Sequence, residues 1–220
     1  MPDVDSSQVF VQGQRHLRVQ CFDPIRDPQS GYFEVDKRVL EVRDEVRRVI
    51  AVSDIELNNF LLLLTAVGGV AGQSLQDTIF AQKISETEFQ GEMKKLLRLN
   101  PRIGSQLEEH PHVAGGITDL SFRGIRLELK VESNQFVTED VASRFIQQTA
   151  QYVAGSDRRL GMLAVLDCSP KNEAPGTAAN DILAKMVQPP SGRGLPICIG
   201  VIIIRGNLAK PSDLSRRQPA

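Results

Sequence analysis

A chain of 220 residues can bury a sizeable core and favours one domain, or one domain with an added segment. Its hydrophobic fraction of 41% and charged fraction of 24% are those of an average globular protein, which speaks against membrane and disordered classes. The formal net charge of -1 does not advertise a nucleic-acid partner, so attraction to phosphate has to come from a local basic face or from a cation held between carboxylates.

In chain order, residues 1–80 open irregularly, with turn residues at Asp23-Pro24, Asp27-Pro28 and Ser30-Gly31, and continue as two predicted helices. Val35, Val39, Val42, Val46 and Ile50 recur at helical spacing in the first, and Asp54 is a candidate cap for a second through Leu61 to Leu64. This mainly helical N-terminal segment is expected to serve packing, a homodimer contact or a partner subunit, and no chemistry is legible in it. From residue 81 the pattern becomes α/β. Ser85 and Glu88 form a capping-box signature for a helix through Leu99, stopped at Asn100-Pro101. Strands are expected at 114–122, 125–132, 160–168 and 196–204, with a helix at 138–154. The order is αββαββ or αβββαβ, depending on whether residues 178–187 are helical. The domain is expected to run over residues 81–206 and to end in a loose tail at 207–220.

The segment from Gly116 to Lys130 is the most informative. If Arg123-Gly124 is a two-residue turn, Phe122 pairs with Ile125, Leu120 with Leu127 and Thr118 with Leu129, making one apolar face. The opposite face pairs Ser121 with Arg126, Asp119 with Glu128 and Ile117 with Lys130. Opposed carboxylates weaken a hairpin unless something positive lies between them. A divalent cation resolves the conflict: Asp119, Glu128 and the Leu129 carbonyl make a half-shell suited to Mg²⁺, with Mn²⁺ as a substitute. Lys130 then faces the attacking water and the phosphate. The plain alternative is an antiparallel sheet with one wet face, on which Arg126 pairs with a carboxylate.

Val141, Phe145, Gln148 and Tyr152 fall on one stripe of the following helix. A glutamine in an apolar stripe calls for a partner, which is either the phosphate region of the site, with Tyr152 one turn on, or backbone within the core. In the earlier helix Glu92 borders the buried face and is the candidate for an additional acid, with Glu88 in reserve. Lys94, Lys95, Arg98 and Arg102 on that helix and its exit, and Arg123 and Arg126 on the hairpin, are candidate contacts for a nucleic-acid backbone or simply solvated surface. His110 and His112 lack further ligands for a metal, and Gly115-Gly116 lacks the context of a dinucleotide fingerprint.

Taken together, residues 85–204 resemble the PD-(D/E)xK (restriction endonuclease-like) nuclease superfamily. The resemblance rests on Asp119, on Glu128-Leu129-Lys130, on a helix glutamate at Glu92 or Glu88, and on Gln148 with Tyr152, a spacing found in recombination and exonuclease branches. It implies an αβββαβ core with a mixed central sheet and Mg²⁺-dependent hydrolysis of nucleic-acid phosphodiesters. DNA is the expected substrate, with defence, restriction or repair as the setting. Thr118 stands where the family often has proline. A non-catalytic binding or assembly domain on the same fold is the second reading. Cys21, Cys168 and Cys198 form an odd set without CxxC spacing, indicating neither a disulfide framework nor a zinc site. With no signal-like start, and with apolar stretches (60–72 and 195–204) shorter than the roughly 20 residues of a membrane span, a cytoplasmic location is expected.

Overall fold

The computed structural model describes residues 29–50, 52–109, 119–156, 158–171, 176–189 and 195–208, together with the backbone of short strands at 9–12, 15–18, 112–113 and 116–117. The expectations placed on Cys21, Asp23-Pro24, Asp27-Pro28, His110, Gly115, Thr118 and the tail beyond residue 208 lie outside the described residues, as do the side chains of His112 and Gly116.

Two apolar runs dominate the interior. Leu160–Asp167 (β8) and Ile197–Arg205 (β10) are buried along their whole lengths and pair in parallel. A strand covered on both faces has no wet face to alternate with, which is why both runs read as continuous Val, Ile and Leu. Helix Phe33–Val49 (α1), helix Asp54–Asp77 (α2) and helix Glu86–Leu99 (α3) pack over one face of the sheet, with Leu160, Met162, Ala164, Cys198, Ile202 and Ile204 beneath them. Helix Glu139–Gly155 (α4) covers the other face through Val141, Ala142, Ile146 and Val153, against Leu163, Val165, Ile199, Val201 and Ile203. Close approach demands glycine at two points. A Cβ on Gly161 would lie 2.2 Å from Val153, and one on Gly200 would lie 2.9 Å from Phe60.

The remaining strands are Val9–Gln12 (β1), Arg15–Arg18 (β2), Leu107–Glu109 (β3), His112–Val113 (β4), Gly116–Ile117 (β5), Leu120–Phe122 (β6), Ile125–Glu132 (β7) and Ile182–Val187 (β9). β1 pairs with β2 and β4 with β5 in separate two-stranded ladders. The main sheet is six-stranded and mixed, in the order β3-β6-β7-β8-β10-β9. β3, β6 and β7 are antiparallel neighbours, β7, β8 and β10 run parallel, and β9 closes the far edge antiparallel to β10. The chain is therefore α/β, with a mixed sheet between helices.

Several boundaries move. The expected strand at 114–122 is divided into β5 and β6, and Ile117 pairs with His112 rather than with Lys130. Residues 178–187 do not form a helix: a 3-10 turn at Ala178–Asp181 leads into β9. α2 is capped by Ser53, whose side chain accepts from the Glu56 N–H, and not by Asp54. α2 is also longer than its apolar stretch suggested, and by length and composition it could cross a membrane, yet most of it is buried against the sheet and its neighbouring helices. The break in composition near residue 80 is not a break in packing, because α1 and α2 share one core with the strands. Glu56 adds a polar tie at this junction: its carboxylate accepts from the backbone N–H of Arg159 (2.8 Å) and Leu160 (3.0 Å), clamping the start of β8.

At the other end of the parallel strands lies a buried ionic cluster. Arg205 on β10 donates to Asp167 on β8 (2.7 Å), to Asp181 (2.9 Å) and to the Val137 carbonyl (2.7 Å). Lys171 donates to Asp167 (2.8 Å) and to the Ser169 carbonyl (2.7 Å). Val137 immediately precedes the N-cap of α4, so the cluster fixes where that helix starts. Removing one partner from such a group leaves buried charge uncompensated. Arg205→Met is expected to cost about 3–5 kcal/mol of stability, read as a lowered urea midpoint; a change under about 1 kcal/mol, the range of an exposed ion pair, would show that the cluster does not hold the fold.

Candidate functional site

The turn of the hairpin explains its register. Arg123 (φ 49) and Gly124 (φ 86) both have positive φ, as a two-residue turn matched to strand twist requires. The pairs Phe122 with Ile125, Ser121 with Arg126 and Leu120 with Leu127 follow, as the alternation predicts. Leu127 and Leu129 point toward α3 and α2, so Glu128 and Lys130 emerge on the face that α4 covers. Asp119 does not continue the ladder. It sits in a bend just before β6, and its Oδ2 accepts from the Leu129 N–H at 2.7 Å, taking the place of a strand acceptor. The N–H and C=O of a strand residue point toward the same neighbour, so the Leu129 carbonyl faces the side from which Asp119 approaches.

Glu128 is only 3% exposed. Its Oε1 accepts from Gln148 Nε2 at 2.9 Å and lies 3.0 Å from Lys130 Nζ, whereas Oε2 is buried without a hydrogen bond among the described residues. Burial, reinforced by the charge of Asp119, pushes the Glu128 carboxyl up to about 7. Lys130 is bridged between Glu128 and Glu86, the latter at 3.1 Å. Burial works against its charge, but the two carboxylates outweigh it and hold the ammonium above its ordinary value. Gln148 Nε2 is also 3.3 Å from Tyr152 Oη, which places the tyrosine at the rim.

Other expected members stand elsewhere. Glu92 is exposed and pairs with Lys95 at 2.6 Å, and Glu88 completes the capping box with Ser85. The helix acid in contact with the site is Glu86, which the sequence reading passed over. A signal for it exists: at about 100° per residue, Glu86 projects within about 20° of the mean direction of Phe89, Met93 and Leu97, and Glu92 about 100° away from it. Gln90, one turn after Glu86, donates to the Asp119 carbonyl at 3.3 Å, tying the same helix face to the bend.

Gln148 is not within an apolar stripe. The buried residues of α4 are Val141, Ala142, Ile146, Thr149, Ala150 and Val153, and Gln148 lies beside them, exposed as a residue but with its amide turned onto Glu128. Lys94 and Arg98 both pair with Glu109, at 3.0 and 2.7 Å. Arg123 donates to Gln106 (2.5 Å) and Asn59 (3.2 Å) and lies over the Phe122 ring. These candidate backbone contacts are thus engaged within the chain, whereas Arg126 makes no ion pair among the described residues. Arg102 is partly exposed at the exit of α3, where its backbone N–H donates to Asn100 Oδ1.

Among the described residues no group of three or more histidines, cysteines, aspartates or glutamates is gathered for a metal. Two carboxylates converge, which meets the demand of Mg²⁺ because that ion keeps several waters. The unpartnered, buried Glu128 Oε2 is an acceptor of the right chemistry for it. No protein-family model, no curated protein and no solved structure matches the chain.

The raised Glu128 value has a signed consequence. Because the folded chain holds a proton that the unfolded chain releases near 4.5, stability falls as pH rises from about 4.5 to about 7. At about 1.4 kcal/mol for each factor of ten in proton affinity, ionised Glu128 costs about 3 kcal/mol at pH 8. In EDTA, Glu128→Gln should therefore gain stability relative to the wild type between pH 5 and pH 8, measured by urea unfolding. An equal difference at both pH values would contradict the perturbed carboxyl.

Proposed function

We propose that the chain is a metal-dependent nuclease of the PD-(D/E)xK type that hydrolyses nucleic-acid phosphodiester bonds, with DNA as the expected substrate. The observation that carries the reading is the convergence of Asp119, Glu128 and Lys130 around a buried carboxylate oxygen without a partner. The path α3, β3, β6, β7, α4, β8 supports it, since an antiparallel three-strand meander followed by a helix and a parallel strand is the αβββαβ order of a restriction-endonuclease-like core.

Asp119, Glu128 and the Leu129 carbonyl would hold a divalent cation, Mg²⁺ by donor type, with Mn²⁺ able to replace it. When bound, such an ion supplies charge neutralisation at the scissile phosphate and acidifies the attacking water. The remaining work falls to the chain. Gln148 holds Glu128 Oε1, leaving Oε2 available to a ligand. Lys130, kept protonated, places positive charge where negative charge grows on the phosphate oxygens as the water oxygen bonds to phosphorus and the P–O ester bond breaks. Glu86, 3.1 Å from the Lys130 ammonium, helps to position it.

The test is cleavage of single- and double-stranded DNA, linear and circular, and of RNA, in Mg²⁺, Mn²⁺ or EDTA. Lys130→Ala and Glu128→Gln are expected to lose about 100-fold or more of a metal-dependent activity, the scale for removing one electrostatic group at a reacting centre. Glu86→Gln should lose activity and Glu92→Gln should not. Persistent cleavage in Lys130→Ala, or none by the wild type on any substrate, would discard the reading in favour of a binding or assembly domain.

A further inference from the structure

The buried side-chain polar atoms left without a hydrogen bond among the described residues are Ser121 Oγ, Arg126 Nε and Nη1, and Glu128 Oε2. All lie on one face of the β6–β7 pair. Ser121 is directly opposite Arg126, and Arg126 precedes Glu128 by two residues and shares its face. Native proteins rarely leave such groups unpaired, so the cluster indicates ligands of two kinds: a cation or donor at Glu128 Oε2 and an acceptor at the Arg126 guanidinium.

Arg126 has a second cation for a neighbour. Arg158 is exposed, and its guanidinium lies against Gly124, where a Cβ would meet it at 3.0 Å. Glycine at φ 86 thus serves both the hairpin turn and a cradle for Arg158. Neither arginine forms an ion pair among the described residues, although the exposed Glu108 on β3 lies close enough to act on Arg126 through space. Burial and the like charge of Arg158 both press the Arg126 guanidinium below its ordinary value, a conflict that an anion would relieve. Of the other basic side chains named for this face of the hairpin or for α3, Lys94, Lys95, Arg98 and Arg123 are already paired within the chain.

We propose that Arg126 and Arg158 form an anion site that takes a backbone phosphate of the nucleic acid next to the scissile one, which a cation at Asp119 and Glu128 would engage. A tetrahedral phosphate offers acceptors to both guanidiniums at once, and the planar Arg fork suits it better than an ammonium. The site sits two residues from the acidic pair along β7, so it fixes which phosphate of the strand reaches Lys130. Its ligand is inferred through the nuclease reading, while its geometry stands apart from it.

The experiment is a titration in EDTA with inorganic phosphate and then with a short single-stranded deoxyoligonucleotide, followed by the Nε–H resonances of arginine. Shifts are expected at Arg126 and Arg158. Arg126→Gln and Arg158→Gln should each weaken both ligands about tenfold, and each should lower the salt dependence of oligonucleotide binding by about one ion. Arg158 is exposed, so that variant reads the site without risk to the fold. Unchanged affinity in Arg158→Gln, or shifts confined to other arginines, would overturn the proposal. Loss of cleavage in Lys130→Ala is scored separately, so the anion site and the nuclease reading can fail independently.

Discussion

Glu128 is a carboxylate on a strand whose register neighbour is the buried Leu163, under a helix, with one oxygen that nothing among the described residues satisfies. Such a group destabilises an apo protein, and its surroundings are arranged to limit that cost rather than remove it. Lys130 and Gln148 satisfy Oε1, but Asp119 adds a second negative charge instead of relieving the first. Placing hydrophobic residues here would be the more stable solution. The arrangement makes physical sense when a cation completes it.

The rest of the fold can be read as the means of holding that arrangement. β7 is fixed on one side by the type of turn that Arg123 and Gly124 permit and on the other by the parallel register with β8. Asp119 is fixed by the Leu129 N–H and by Gln90 from α3. Gln148 depends on where α4 begins, and that is set through Val137 by the Arg205 and Asp167 cluster. β7, the bend before β6, α3 and α4 thus all bring polar groups to the same carboxylate face.

Legibility in the sequence followed the range of the interactions. The hairpin register next to the turn, from Phe122–Ile125 to Leu120–Leu127, and the capping box at Ser85 are local rules, and both are present in the structure; the pairs expected beyond Leu120 are not in the ladder. The split of β5 from β6 was not legible, because the bend at Asp119 exists only once its carboxylate has found Leu129. Choosing Glu92 over Glu86 came from weighing the stripe by its border and not by its mean direction. β9 was missed because Ile182–Val187 is a half-exposed edge strand whose composition suits a helix equally well, and only its pairing with β10 decides it. Gln148 was placed in an apolar stripe because Phe145 and Tyr152 look like core residues; Phe145 does pack against the core, whereas Tyr152 lies with Gln148 at the rim of the site.

The alternative of an assembly domain has to account for the same atoms. A scaffold gains nothing from Glu128 at 3% exposure beside Asp119, nor from Arg126 held with unpaired N–H groups beside Arg158. Each of these features alone is a modest defect. Opposite in sign and on one face of the hairpin, they are the pair of charges that the proposed cation and the proposed anion would each meet. A phosphodiester approached by a divalent ion presents that pair of charges, and an apolar or purely acidic partner does not.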